Sequence, residues 1–317
     1  MRKFSIPYNG VSAEAYISAV TPYMDYIDSI FLGLPSLLDG HPRYRDIKAE
    51  KAAEINGIDF LSKSIPCKRL LTLNRTHYHK SDQELQDFCV NKVFPLIDRY
   101  HIEGLIMTDF NMAKFVHKQR PEVDISTSCN TFMNNVRTMH LWHEQCGTIL
   151  FNPPRDICRT PDMLKKLSAE GFQLKCIVNE SCRYGCPQQM IHCFDSIKLN
   201  GPYDFECSHI SEEEILKCNY ILPRWLKYLD KYVSIYKIVG RGATLGHIVS
   251  MLDAYINERD DIYLDDFLYG GTYRGKHLNL PVNIIPDKLL TCECKNCKHC
   301  NLCNNIIQGY YQYVKNS

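Results

Sequence analysis

Short apolar runs rich in β-branched and aromatic residues recur along the chain, separated by longer stretches of mixed polarity. Eight have strand length and are bounded by Gly, Pro, Asn or Asp. The pattern predicts strands over Phe4–Tyr8, Ile27–Leu32, Arg69–Leu73, Gly104–Thr108, Val123–Thr127, Thr148–Phe151, Leu174–Val178 and Ile235–Val239. Helix signals fall between them. Ser81 with Glu84 predicts a capping box ahead of LQDFCVNKVFPLIDRY. Pro161 opens DMLKKLSAE and Gly171 ends it, while Ser211 precedes three glutamates at another helix start. Strands that alternate with helices imply a parallel sheet, because parallel neighbours need a crossover. Eight strands in 317 residues suit an α/β fold of the (β/α)8 TIM-barrel type. A doubly wound open sheet gives a similar pattern, but no GxGxxG follows the first strand. The expected layout is a TIM-barrel-like catalytic domain over 1–285 and a small cysteine-rich metal-binding segment over 286–317.

Barrels build their sites at the C-terminal ends of the strands. Polar residues at those positions are Asn9, Asn74, Arg75, Asp109, Ser128, Asn130, Asn152, Asn179, Glu180 and Arg241. Such residues end strands for purely local reasons, so convergence is the argument rather than any single member. Asp109, Asn179, Glu180 and Arg241 are the candidate catalytic residues. Ser128 and Asn130 are candidate substrate contacts, and the fork of Arg241 suits a carboxylate.

Composition adds exclusions. Apolar residues at 45% and charged residues at 23% exclude a disordered or fibrous chain. Lys plus Arg number 37 against 36 Asp plus Glu, so the net charge of +1 makes no electrostatic case for nucleic acid or a membrane surface. No run reaches membrane-spanning length, and MRKFSIPYNG lacks the apolar core of a signal peptide; a cytoplasmic location is expected from exposed cysteine ligands rather than from any address signal.

Cysteine changes the picture, with sixteen in the chain. A thiol-rich chain without secretion signals points to metal rather than disulfides. One window is CIVNESCRYGCPQQMIHC, with Cys182, Cys186 and Cys193, followed by Cys207 and Cys218. Thiolates spaced this closely on a loop converge on one soft centre, an iron–sulfur cluster or zinc. The other window is CECKNCKHCNLC, where Cys294, Cys297, Cys300 and Cys303 stand in Cys-x2-Cys register and Cys292 precedes them. That run resembles a ferredoxin run without its final Cys-Pro, and zinc would accept it equally. Cys67, Cys89, Cys146, Cys158 and Cys176 read as core residues, whereas Cys129, close to a strand end, could face the site. No GxSxG, HExxH or P-loop is present.

The stretch CIVNESCRYGCPQQMIHC resembles the NExCxxxCPxRxxH segment of the peptidase U-32 (collagenase-like) family, with His192 at its closing histidine. YKIVGRGATLGHIVSMLDAY is similar to that family's lKIeGR…Y segment, matched at Lys237, Gly240 and Arg241. ISTSCNTFMNN, SIFLGLPS and GLIMTDFNMAKF add weaker echoes, so the likeness covers about residues 4 to 260. The resemblance implies a TIM-barrel-like domain with a [4Fe–4S] cluster on four cysteines. Cys182 and Cys186 match the central pair; Cys193 and Cys207 complete the set, with Cys218 the competitor. His192 and Lys237 become expected substrate contacts. Family members act in oxygen-independent hydroxylation, in ubiquinone biosynthesis and on RNA bases, sometimes as heterodimers. A small-molecule, peptide or RNA-base substrate is therefore expected, as is a homodimer or a heterodimer with a related subunit or an electron donor. Two departures stand out: Gln188–Gln189 where relatives carry Arg, and the dense C-terminal cysteine run, which suggests a second cluster or a zinc site.

Three functions compete. The first is an iron–sulfur enzyme performing oxygen-independent redox or oxygen- or sulfur-atom chemistry, such as hydroxylation, at the barrel mouth. The second is a peptidase of the collagenase-like type, for which no nucleophile–base pair is visible. The third is a non-redox metal-binding subunit with structural zinc.

Overall fold

A computed structural model describes residues 1–10, 12–33, 57–76, 78, 80–190, 212–268, 279–292 and 299–316. Eight parallel strands close into one barrel in chain order: β1 (Phe4–Pro7), β2 (Ile27–Leu32), β3 (Lys68–Leu73), β4 (Gly104–Met107), β5 (Asp124–Thr127), β6 (Leu150–Phe151), β7 (Gln173–Ile177) and β8 (Ile235–Lys237). Phe4 and Ser5 of β1 pair with Tyr236 and Lys237 of β8 and complete the ring. The expected (β/α)8 barrel is the observed one, and each predicted strand coincides with a real one to within about two residues.

The period of two divides the strand residues between two environments. Phe4, Ile6, Ile30, Leu32, Leu71, Leu105, Leu174, Cys176 and Tyr236 join the main core between barrel and helices. The other register fills the lumen. There Phe31, Leu70 and Ile106 form a separate small cluster with Val239 against it. Ser5, Ser29, Thr72, Ser126, Lys175 and Lys237 are buried polar members of the same register. Ser29 Oγ donates to Ser5 Oγ at 2.8 Å across β1 and β2.

Local signals set the helices. Ser81 and Glu84 form the predicted capping box at Asp82–Phe88, and Pro161 opens Pro161–Ser168. Cys67, Cys89, Cys146, Cys158 and Cys176 are buried, in line with their reading as core residues. The described part of the C-terminal segment is tied to the barrel wall. Asp287 accepts from Trp225 Nε1 and Tyr228 Oη, each at 2.8 Å, and from Arg224 Nε at 3.1 Å. Arg159, buried against the rings of Tyr220 and Trp225, donates to the Leu289 carbonyl at 2.8 Å. Among the described residues, no helix is long and apolar enough to cross a membrane.

Candidate functional site at the barrel mouth

The residues following β3, β5, β6 and β7 are joined by one polar network. Arg155, in the short helix Arg155–Cys158 after β6, donates from Nε to Glu180 Oε2 at 2.7 Å. Its Nη1 donates to Asn130 Oδ1 at 3.2 Å, and Asn130 Nδ2 reaches the Asn74 carbonyl at 3.2 Å. The ion pair is largely dry, with side-chain exposures of 14% for Arg155 and 10% for Glu180. Burial alone would raise the Glu180 carboxyl. The charge and hydrogen bond of Arg155, with bonds from Cys182, hold it below its ordinary value instead. Glu180 stays ionised, and its other oxygen accepts the Cys182 N–H at 3.2 Å.

Glu180 thereby links the mouth to the cysteine loop. Residues 182–184 run antiparallel to 217–219: Asn219 N–H bonds the Cys182 carbonyl at 2.9 Å and Tyr184 N–H bonds that of Lys217 at 3.1 Å. The pairing brings the Cys182 and Cys218 thiols into mutual electrostatic reach, and the Cys182 thiol is pushed well up by burial, by Glu180 and by Cys218. Asp156 clamps the two segments, accepting from Gly185 N–H at 3.2 Å and from Asn219 Nδ2 at 2.6 Å. Gly185 takes a φ of +63°, the left-handed turn that carries the chain round to half-buried Cys186.

Of the expected ligand set, the described members are two neighbouring thiols, Cys182 and Cys218, and Cys186 on the adjoining turn. Cys193, Cys207 and His192 lie outside the described residues, as do Cys294 and Cys297 of the C-terminal run. Among the described residues, no group of three or more His, Cys, Asp and Glu is assembled. Of the C-terminal run, Cys292 and Cys303 are half-buried and Cys300 is exposed. Cys218 and Cys303 both lie within electrostatic reach of the buried Tyr220 phenol.

The remaining expected site residues divide by what they bind. Lys237 ends β8 inside the lumen, its Nζ 4.3 Å from the Phe31 ring centroid. Burial pushes its amine down to about 7; nearby Cys129 opposes that, and Lys175, Arg241 and Arg155 add to it. Arg241 follows Gly240, whose φ of +139° turns the chain off β8. Asn179 spends its amide on the scaffold, accepting from Val239 N–H and donating to the Val239 carbonyl, each at 2.8 Å. Asp109 caps helix Phe110–Gln119 through Met112 N–H at 2.9 Å, and Ser128 caps the turn at Asn130 through its N–H at 3.2 Å. Asn152 bonds Thr127 by both backbone and side chain.

Sequence reasoning missed Arg155, Asp156 and Lys175. A charged pair directly after NPP at the end of the sixth strand was the available signal for the first two. Cys129 Sγ donates to Asn130 Oδ1 at 3.6 Å and lies within electrostatic reach of Lys237.

No family model matches the chain. It is 26% identical over 192 residues to the uncharacterized protease MJ1657 of Methanocaldococcus jannaschii, a match covering 56% of this chain. The chain spans 57% of the length of that relative. Among solved structures, the U32 peptidase Mk0906 superposes with a TM-score of 0.51 at 10% identity, covering 75% of this chain and 92% of that one. At that identity the superposition speaks for the shared barrel. The NESCRYGCP and KIVGR segments, this relative and the shared barrel agree with the expected resemblance to the peptidase U-32 family.

Proposed function

We propose that the chain is an iron–sulfur enzyme whose substrate binds at the barrel mouth. The observation that carries this reading is the double engagement of Glu180, which pairs with Arg155 on the substrate side and with Cys182 N–H on the loop side. A centre held by Cys182, Cys186 and two further cysteines would sit against the mouth and supply one-electron redox chemistry. The chain's own residues do the rest. Arg241, beside the Arg155–Glu180 pair, gives the mouth positive charge for an anionic substrate group. The apolar cluster of Phe31, Leu70 and Ile106 floors the lumen beneath it and excludes water. Cys303 lies within electrostatic reach of Tyr220, and with the rest of its run it would hold a second centre exchanging electrons with a donor protein, or a zinc staple.

A peptidase is the second reading, favoured by the names of both similar proteins and by Cys129 lying within electrostatic reach of Lys237. Iron, zinc and acid-labile sulfide per chain, measured after purification without oxygen, separate the readings. Cys182→Ala and Cys297→Ala are measured alongside. About eight irons and eight sulfides, halved by either substitution, mean two clusters. Four irons with zinc lost only from Cys297→Ala mean one cluster and a staple. No iron at all, with casein hydrolysis abolished by Cys129→Ala, overturns the proposal for the peptidase.

A further inference from the structure

Barrel lumens are usually filled by branched apolar side chains. Here two lysines occupy the lumen register on adjacent strands. Lys175 pairs in register with Ile235, and Ile177 with Lys237, so Lys237 stands one layer nearer the mouth. Lys175 Nζ is buried without a hydrogen-bond partner, and Lys237 Nζ lies over the Phe31 ring. Among the described residues neither amine forms an ion pair with a carboxylate. The groups within electrostatic reach of Lys237 include Cys129 after β5, Arg155 after β6, Lys175 on β7 and Arg241 after β8, three cations and a thiol. A buried amine with no counter-ion and three cations within electrostatic reach resists protonation, although the Phe31 face alone would favour the charged form, and it keeps its lone pair for chemistry.

We propose that Lys237 is a covalent catalytic residue whose amine condenses with the carbonyl of a carboxylate-bearing aldehyde or ketone. The Nζ lone pair attacks the carbonyl carbon, and a C–N bond forms as the C=O π bond opens. Both amine hydrogens then leave with the carbonyl oxygen as water, giving a C=N linkage with no change of oxidation state. Hydrolysis reverses the step. Arg241 supplies the charge that draws the carboxylate, and Phe31 covers the amine. The inference rests on the mouth being the substrate site and does not require a loaded metal centre.

Glyoxylate with cyanoborohydride, applied to the full chain at pH 7, traps such an imine as a stable secondary amine that peptide mass mapping locates. An amine held near 7 is about half neutral there, against roughly one part in 2,500 for an exposed lysine near 10.4, so Lys237 should label about a thousandfold faster than surface lysines. The rate should saturate with glyoxylate, reach half its maximum near pH 7 and persist in Lys175→Met. It should vanish in Lys237→Arg, whose folding is checked by circular dichroism. If that variant does not fold, the pH profile of wild-type labelling decides in its place. Labelling of Lys237 within tenfold of the surface lysines, or a midpoint near pH 10, overturns the proposal. Iron found without the adduct refutes this inference alone, whereas an adduct without iron refutes the cluster alone.

Discussion

Lys175→Met tests the polar lumen through stability. Lys175 is fully buried, and burial pushes its amine from the ordinary 10.5 down to about 8, partly offset by Asp28 and Asp124 near the opposite end of the barrel. Because the folded value is the lower one, the unfolded chain binds more protons between pH 8 and 10.5, and stability rises with pH across that window. At about 1.4 kcal/mol per unit, holding the charged amine costs the native state about 3 kcal/mol at pH 7 and about 1 kcal/mol at pH 10. Methionine is similar in length, adds no charge and packs adaptably, so it removes this penalty with little cavity. The stability of Lys175→Met relative to wild type should therefore be about 2 kcal/mol more favourable at pH 7 than at pH 10.

Urea unfolding of both proteins at the two pH values, under reductant, gives the comparison, and the other titrating groups cancel in the difference. The substitution also removes one of the cations facing Lys237, so the Lys237 amine should move up toward its ordinary value. Carbon-13 labelled lysine read by NMR reports both amines directly. A pH-independent stability difference, together with a Lys175 resonance titrating near 10.5, would refute the reasoning.

Glu180→Gln leaves Arg155 charged and unmatched in a dry site. It should cost about 3 kcal/mol or more in urea unfolding and lower whatever iron is bound through Cys182. Asn179→Ala strips Val239 of partners for both its N–H and its carbonyl. The expected loss is about 2 kcal/mol, with faster amide exchange at Val239 as the local readout. Arg159→Met removes the donor that holds the carbonyls of Leu216, Cys218 and Leu289, so limited proteolysis should cut near 286–292 faster while the barrel core stays resistant.

The fold was legible because its signals are local and repeated. Every predicted strand was a short β-branched run bounded by a turn residue, and Ser81 with Glu84 capped the helix they promised. The site was legible only as a set of positions. A strand end tells which residues approach the mouth but not what their polar atoms already bind. Asn179, Asp109 and Ser128 arrive there and use their side chains on neighbouring backbone, a division decided by angles of a few tens of degrees that no spacing encodes. Arg155 was hidden for the opposite reason, since one arginine in NPPRD carries no pattern until Glu180 is placed beside it. The lumen lysines fall between these cases. Lys175 sits in QLKCI and Lys237 in IYK, each flanked by apolar neighbours, and alternation alone assigns both to the register opposite Leu174, Cys176 and Tyr236. A charge on the inner register of a barrel strand has no water to face, so it must find a counter-ion, lose its proton or meet a ligand. The first does not occur among the described residues, and the mouth above Lys237 is where the other two converge.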